Sequence, residues 1–184
     1  GTGNDTVTIT SVDAGYNVDL TINGDAGDDT VNLNGSITFA ANENLDVNLT
    51  NDASGGDVDN VNVTSGAVIA TSGTGTINLQ ASRRVLVNNA STTLSTVNGG
   101  ITLIGNSAGT TTGNFRGVQT GTSTVVRTTG TGSISITGKG GNDATTSNHE
   151  GVTIFGVVES TSAAAGAGTI TINGTGGISS SGGY

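Results

Sequence analysis

The stretch Gly132-Ser-Ile-Ser-Ile-Thr-Gly138-Lys-Gly140-Gly141 returns almost position for position as Gly168-Thr-Ile-Thr-Ile-Asn-Gly174-Thr-Gly176-Gly177. In each copy two isoleucines alternate with Ser, Thr or Asn. A period of two sends apolar side chains to one side of an extended strand and polar ones to the other. Gly100-Ile101-Thr-Leu-Ile-Gly105 is a looser third copy and Gly75-Thr-Ile77-Asn-Leu79 a fourth. A second match runs in step with the first: Asn114-Phe-Arg-Gly117-Val118 against Asn148-His-Glu-Gly151-Val152, 34 residues apart. Ile101 to Ile134 and Ile134 to Ile170 give offsets of 33 and 36. Nearer the start, Gly3-Asn-Asp-Thr-Val7 matches Gly27-Asp-Asp-Thr-Val31 at an offset of 24, which is also the spacing of Ile77 and Ile101.

The same alternation marks short strands throughout, among them Thr6–Thr10, Val18–Ile22, Val31–Leu33, Leu45–Leu49, Val61–Val63, Val85–Val87 and Val152–Ile154, and no segment has a helical period. A unit of 24 to 36 residues with two or three such strands cannot bury its own apolar face, but stacked units bury a continuous row of Val and Ile. The fold class expected is all-β, a right-handed parallel β-helix (β-solenoid), with a β-sandwich array as the alternative. Unequal repeat lengths place insertions at corners, for which Ser107–Gly113, Gly140–Ser147 and Thr161–Gly168 are the candidates. Six coils at a rise of about 4.8 Å make a stub about 30 Å long. The chain opens on Gly1 rather than Met and stops at Tyr184 inside a repeat, so the expectation is one segment, 1–184, of a longer or polymerising protein.

Composition agrees. Of 184 residues 32 are Gly and none is Pro, Cys, Met or Trp; charged residues are 10% and aromatics 3%. β-Branched residues suit strands, and Gly and Asn suit turns. Without cysteine neither a disulfide scaffold nor a thiolate metal site is available. The formal charge is -9, and eleven of the fourteen acids precede the first base, Arg83. Such a surface repels nucleic acid and anionic membrane and attracts cations. Neither nucleic-acid binding nor membrane insertion is expected.

The phrases "GTINLQASRRVLVNNASTTL", "GGITLIGN", "GSISITGKGG" and "GTITINGTGG" between Gly73 and Tyr184 resemble the filamentous-haemagglutinin (haemagglutination-activity) repeats of giant secreted bacterial adhesins. That resemblance implies a right-handed parallel β-helix at the cell surface or outside the cell, without a catalytic motif. Residues 1–72 depart from it: "GTGNDTVTI" and "GDAGDDTVNL" resemble half-copies of the RTX nonapeptide, whose aspartates and neighbouring carbonyls bind calcium in turns. The resemblance implies Asp5, Asp28 and Asp29 as metal-site residues, with Asp57 and Asp59 in "GGDVDNV" and Asp143 in "GGND" as degenerate copies, and Ca2+ as the cofactor. The copies here do not run in tandem. Gly-Asn-Asp also makes a tight turn with Asp capping its own backbone, and an isolated turn supplies few of the six to eight oxygens calcium takes. Stacking of Asp5 on Asp29 would favour an intervening cation through their mutual repulsion.

No enzyme is expected. His149 is the single histidine, and a zinc site takes at least three protein ligands; as a loop residue it is expected to be exposed. Nothing resembles a nucleophile elbow. Carboxylate pairs for glycoside chemistry exist in the acidic third, but the aromatics that line sugar clefts are limited to Tyr16, Phe39, Phe115, Phe155 and Tyr184. Arg83, Arg84, Arg116, Arg127 and Lys139 are too scattered for a lyase base. The function expected is a structural or adhesive rod segment, with copies of itself, the rest of a longer chain, or host or matrix glycans as partners. A calcium-dependent RTX-like module and a carbohydrate-binding or cleaving β-helix are the alternatives.

Overall fold

The computed structural model describes residues 2–13, 16–50, 56–64, 66–88, 90–143, 148–162 and 166–178. Every paired strand in them is parallel to its neighbours, which makes the chain a parallel β-solenoid and excludes a Greek-key sandwich. The coils share three faces.

The first face is formed by β1 (Thr6–Ser11), the first half of β3 (Thr30–Ala41), β5 (Asn60–Val63), β8 (Arg84–Val87), β11 (Val118–Thr120) and β14 (Val152–Ile154). The second carries the latter half of β3, β6 (Val68–Ser72), β9 (Thr93–Thr96), β12 (Val125–Thr128) and β15 (Val157–Ser160). These two are one ten-stranded sheet bent through β3. The third face is a separate six-stranded sheet of β2 (Leu20–Asn23), β4 (Leu45–Leu49), β7 (Ile77–Ala81), β10 (Ile101–Gly105), β13 (Ile134–Lys139) and β16 (Ile170–Thr175). Six coils result, and pairing runs unbroken across positions 72 and 73 through β4–β7, β3–β6 and β5–β8.

Each internal sequence match is a register pair. Ile77, Ile101, Ile134 and Ile170 stand in one column; Val118 lies on Val152, and Thr6-Val7 on Thr30-Val31. A repeated phrase is therefore one rung seen in successive coils. The three faces turn Val, Leu and Ile inward, so Leu45, Ile77 and Ile101 are fully buried, each contributing about 1.5–3 kcal/mol. Polar alternates face outward, where Asn62 donates to Asn32 and Asn78 to Asp46 across one coil step.

The second face differs from the sequence pattern. On β6, β9 and β12 the inward positions alternate an aliphatic with a threonine: Ile69 with Thr71, Leu94 with Thr96, Val126 with Thr128, all buried. The hydroxyls of Thr71 and Thr96 each donate at 2.6 Å to a corner carbonyl, of Gly75 and Gly99 respectively. A buried hydroxyl with a partner costs little, and here it satisfies a carbonyl that the turn leaves over.

The proposed insertions fall at corners. Residues 106–117 and 140–151 connect β10 to β11 and β13 to β14, at the same corner of successive coils, and 161–169 connects β15 to β16. Residues 144–147 of Gly140–Ser147 and 163–165 of Thr161–Gly168 lie outside the described residues, as does Tyr184.

Candidate functional site

Most of the candidate residues converge on the corner that leads into the first face. Two positions before the column Val7, Val31, Val61, Val85, Val118 and Val152 stand Asp5, Asp29, Asp59, Arg83, Arg116 and Glu150. Asp5 and Asp29 thus stack in successive coils, with Asp59 next. A backbone donor lies between each pair: Asp5 N–H donates to Asp29 Oδ1 at 2.8 Å, and Asp29 N–H to Asp59 Oδ1 at 2.7 Å. Asp59 N–H continues the ladder to Ser82 Oγ at 3.1 Å. That hydroxyl in turn donates to Asp57 O at 2.7 Å, so Asp57 enters through its carbonyl. Asp28 belongs to a parallel ladder of opposite sense: its N–H donates to Asn4 Oδ1, and its own Oδ1 accepts Val58 N–H at 2.9 Å.

These are charge-assisted hydrogen bonds across 24 and 30 residues of sequence, stronger than neutral ones. The expected local turn cap is therefore a cap on the neighbouring coil. Gly27 has the left-handed φ of 131°, and a Cβ there would press on the Gly3 carbonyl at 2.7 Å, which explains why the Gly-x-Asp phrases recur together. Asp29 and Asp59 are buried, and each anion has a backbone amide beside it. Among the described residues no group of three or more His, Asp or Glu side chains is placed to hold a metal ion.

Farther along, the column changes chemistry. The Arg83 guanidinium lies over the Phe115 ring at 5.0 Å and donates from Nη1 to Asn60 Oδ1. Arg116 pairs with Glu150 at 2.9 Å and lies over Phe155 at 5.9 Å. Burial pulls Arg83 and Arg84 down from the usual arginine range, and for Arg84 the charge of Arg83 adds to it. Burial opposes the charge of Glu150, but its backbone hydrogen bond and Arg116 outweigh that, and its carboxyl is held below the usual range.

His149 is not the exposed loop residue expected. Its side chain is 10% exposed, with Nδ1 2.6 Å from Gly141 O and Nε2 3.2 Å from Asp143 Oδ1. Asp143 is thus part of a corner brace, and Glu150 turns to Arg116 rather than joining it. Both ring nitrogens being engaged, the imidazole has none to offer a nucleophile as a general base.

Sequence reasoning missed the corner between the second and third faces. There Asn42 Oδ1 accepts from Thr74, Asn44 Oδ1 from Thr76 and Asn98 Oδ1 from Thr131, in each case from both the backbone N–H and the hydroxyl. Asp19 Oδ1 accepts from Asn44 in the same way through N–H and Nδ2. The signal was the Asn or Asp just ahead of an alternating run. Among the described residues, the polar side chains at these corners mostly fasten one coil to the next. Compared with known proteins, the chain matches no family model, no curated protein and no solved structure.

Proposed function

We propose that this chain is a structural or adhesive rod segment of a secreted or cell-surface protein and that it has no catalytic role. One observation carries the reading: carboxylates, amides and hydroxyls that could have composed a site hydrogen-bond to the backbone of the next coil instead. A solenoid fastened in this way is stiff along its axis, because separating two of the inner coils breaks a parallel ladder on three faces together with the side-chain hydrogen bonds at the corners. Its outward Thr, Asn and Ser rows give a hydrophilic face for host or matrix glycans. The expected calcium is dispensable in this reading, since backbone amides already lie between the stacked aspartates.

The test is a protease challenge and a small-angle scattering profile, each with and without a divalent-ion chelator. A chain that keeps its scattering profile and its protease resistance in chelator supports the proposal. Collapse or rapid digestion on chelation would replace it with the calcium-dependent RTX-like module.

A further inference from the structure

Three of the chain's five bases, Arg83, Arg84 and Arg116, stand together on coils 4 and 5 at the corner leading into the first face. Both coils are inner ones: β8 lies between β5 and β11, and β11 between β8 and β14. Arg84 pairs in register with Asn60 and alternates with the buried Val85 and Val87, so its side chain stands on the outward surface. Asn62 and Gln119 occupy the next outward column, one on either side of Leu86.

The hydrogen-bond acceptors around these arginines are engaged. Asn60 Oδ1 accepts from Arg83 Nη1 at 3.1 Å, Gln119 Oε1 from Arg116 Nη1 at 3.4 Å and Glu150 Oε2 from Arg116 Nε at 2.9 Å. Donors are left over. The Nε of Arg84 is buried and has no hydrogen-bond partner among the described residues. Burial, and then the charge of Arg83, work against the positive charge of Arg84, and no carboxylate among the described residues offsets them. Holding two guanidiniums side by side with N–H groups unsatisfied is unfavourable for the fold alone, and an anion between them removes the penalty. A planar guanidinium matches a carboxylate through two parallel N–H···O bonds.

We propose that this patch binds the carboxylate of a uronic-acid polysaccharide, with Arg84 as its bidentate partner and Arg83 and Arg116 beside it. An acidic polypeptide fits less well: it would add to a sheet as a strand, and both edges of β8 and β11 are already paired. The ligand therefore lies across the face and is met by side chains, and the amides of Asn62 and Gln119 suit sugar hydroxyls. The chain's charge of -9 opposes a polyanion at long range, but physiological salt confines that repulsion to about 8 Å. The proposal rests on the rod reading and narrows its glycan partner to one chemical class. Its failure would leave the scattering and protease tests of the rod untouched.

The test is binding of polygalacturonate to the immobilised chain by biolayer interferometry, with EDTA present so that no divalent ion bridges the polymer to the aspartates. Saturable binding that weakens as salt rises is expected, with none to the fully methyl-esterified polymer, whose carboxylates are blocked. No binding at low salt, or equal binding of the ester, overturns the proposal. Arg84→Gln should weaken binding by about 10- to 100-fold, the loss of a charge-assisted pair. Arg84→Lys should recover only part of it, since an ammonium keeps the charge without the fork. Arg84→Gln is also expected to keep the parent melting temperature, because the Arg84 Nε has no partner in the fold. A variant that loses stability and affinity together would make Arg84 a structural residue and overturn its role. Arg127→Gln, on the second face beside Glu159, is the control and should bind like the parent chain. A loss there equal to that of Arg84→Gln would mean non-specific charge and overturn the site. Poly-L-glutamate binding as tightly as the polyuronate would assign the patch to an acidic protein segment and overturn the glycan.

Discussion

Coils 1–3 and coils 4–6 bury the same kind of interior but are fastened at their corners by different chemistry. In the first half the column entering the first face is Asp5, Asp29 and Asp59, linked through backbone N–H groups, and the column entering the third face is Asp19, Asn44 and Thr76, linked likewise. In the second half the polar ladders thin out and glycine takes over. Two positions before the third-face strands stand Val18 and Glu43, then Gly75, Gly99, Gly132 and Gly168. A Cβ on any of the last three would overlap the carbonyl of the glycine one coil earlier. The first half holds its coils by side chains that reach across; the second removes side chains so that backbones touch. Both satisfy the same geometric demand, a coil spacing set by the β-ladder.

The largest effect should come from breaking the glycine column. Gly132→Ala drives a methyl to 2.0 Å from Gly99 O, a backbone atom that does not yield cheaply. A loss of about 3–5 kcal/mol is expected in denaturant melts, the range of a severe steric fault. The same column in the first half gives the contrast: Glu43→Ala already has a Cβ there and should stay within about 0.5 kcal/mol. Equal losses at the two positions would remove the distinction between the halves.

Next in size is the interior. Leu103→Ala, fully buried in coil 4, should cost about 2–5 kcal/mol through lost transfer energy and an unfilled cavity. Ile172→Ala, in the same inward column two coils on but 44% exposed, should cost under about 1.5 kcal/mol. A similar cost at both sites would mean that coil 6 is covered in solution.

The third face was legible in the sequence because both of its inward positions are aliphatic, as in Ile101 with Leu103 and Ile134 with Ile136. The repeats gave its register directly, since stacked rungs bury the same kinds of residue. The second face was not legible. Thr71, Thr96 and Thr128 occupy every other inward place, so hydropathy shows a single apolar residue where the strand has two inward ones. The aspartate positions were found through their likeness to calcium turns, but their partners were not. Nothing local announces that the acceptor for Asp29 N–H lies at Asp59, because the pairing is set by coil length and a corner of variable size intervenes. His149 was misread for a related reason: its two partners, Gly141 and Asp143, are brought to it by a corner rather than by a strand.

That ladder supplies a middle-sized effect. Asp59→Ala removes the acceptor of Asp29 N–H inside a buried corner and should destabilise by about 1–3 kcal/mol, the cost of leaving a buried donor unsatisfied. Asp59→Asn keeps a carbonyl oxygen at the same place and should recover most of the loss. Were a cation the main reason for the carboxylate, the asparagine variant would lose as much as the alanine and the difference would vanish in chelator.

The smallest effect belongs to the equivalent position in the last coil. Glu150 is held below the usual carboxyl range: burial works against its charge, but its backbone hydrogen bond and the Arg116 guanidinium at 2.9 Å prevail. A depressed carboxyl adds stability that is complete above its unfolded value, about 4.3, and that fades as pH falls through its lower folded value. Glu150 is half exposed and Arg116 partly so, which keeps the contribution below about 1 kcal/mol and lets salt erode it. Glu150→Gln should therefore lower the melting temperature slightly at pH 7 and leave it unchanged near pH 2. Arg116→Ala should lower it further at pH 7 and still lower it in acid, because the guanidinium also covers Phe155 and that contact does not titrate. Matching acid behaviour of the two variants would mean that the ring contact contributes nothing, leaving this corner to its backbone, where Gly117 donates to Glu150 O and Val118 to Gly151 O.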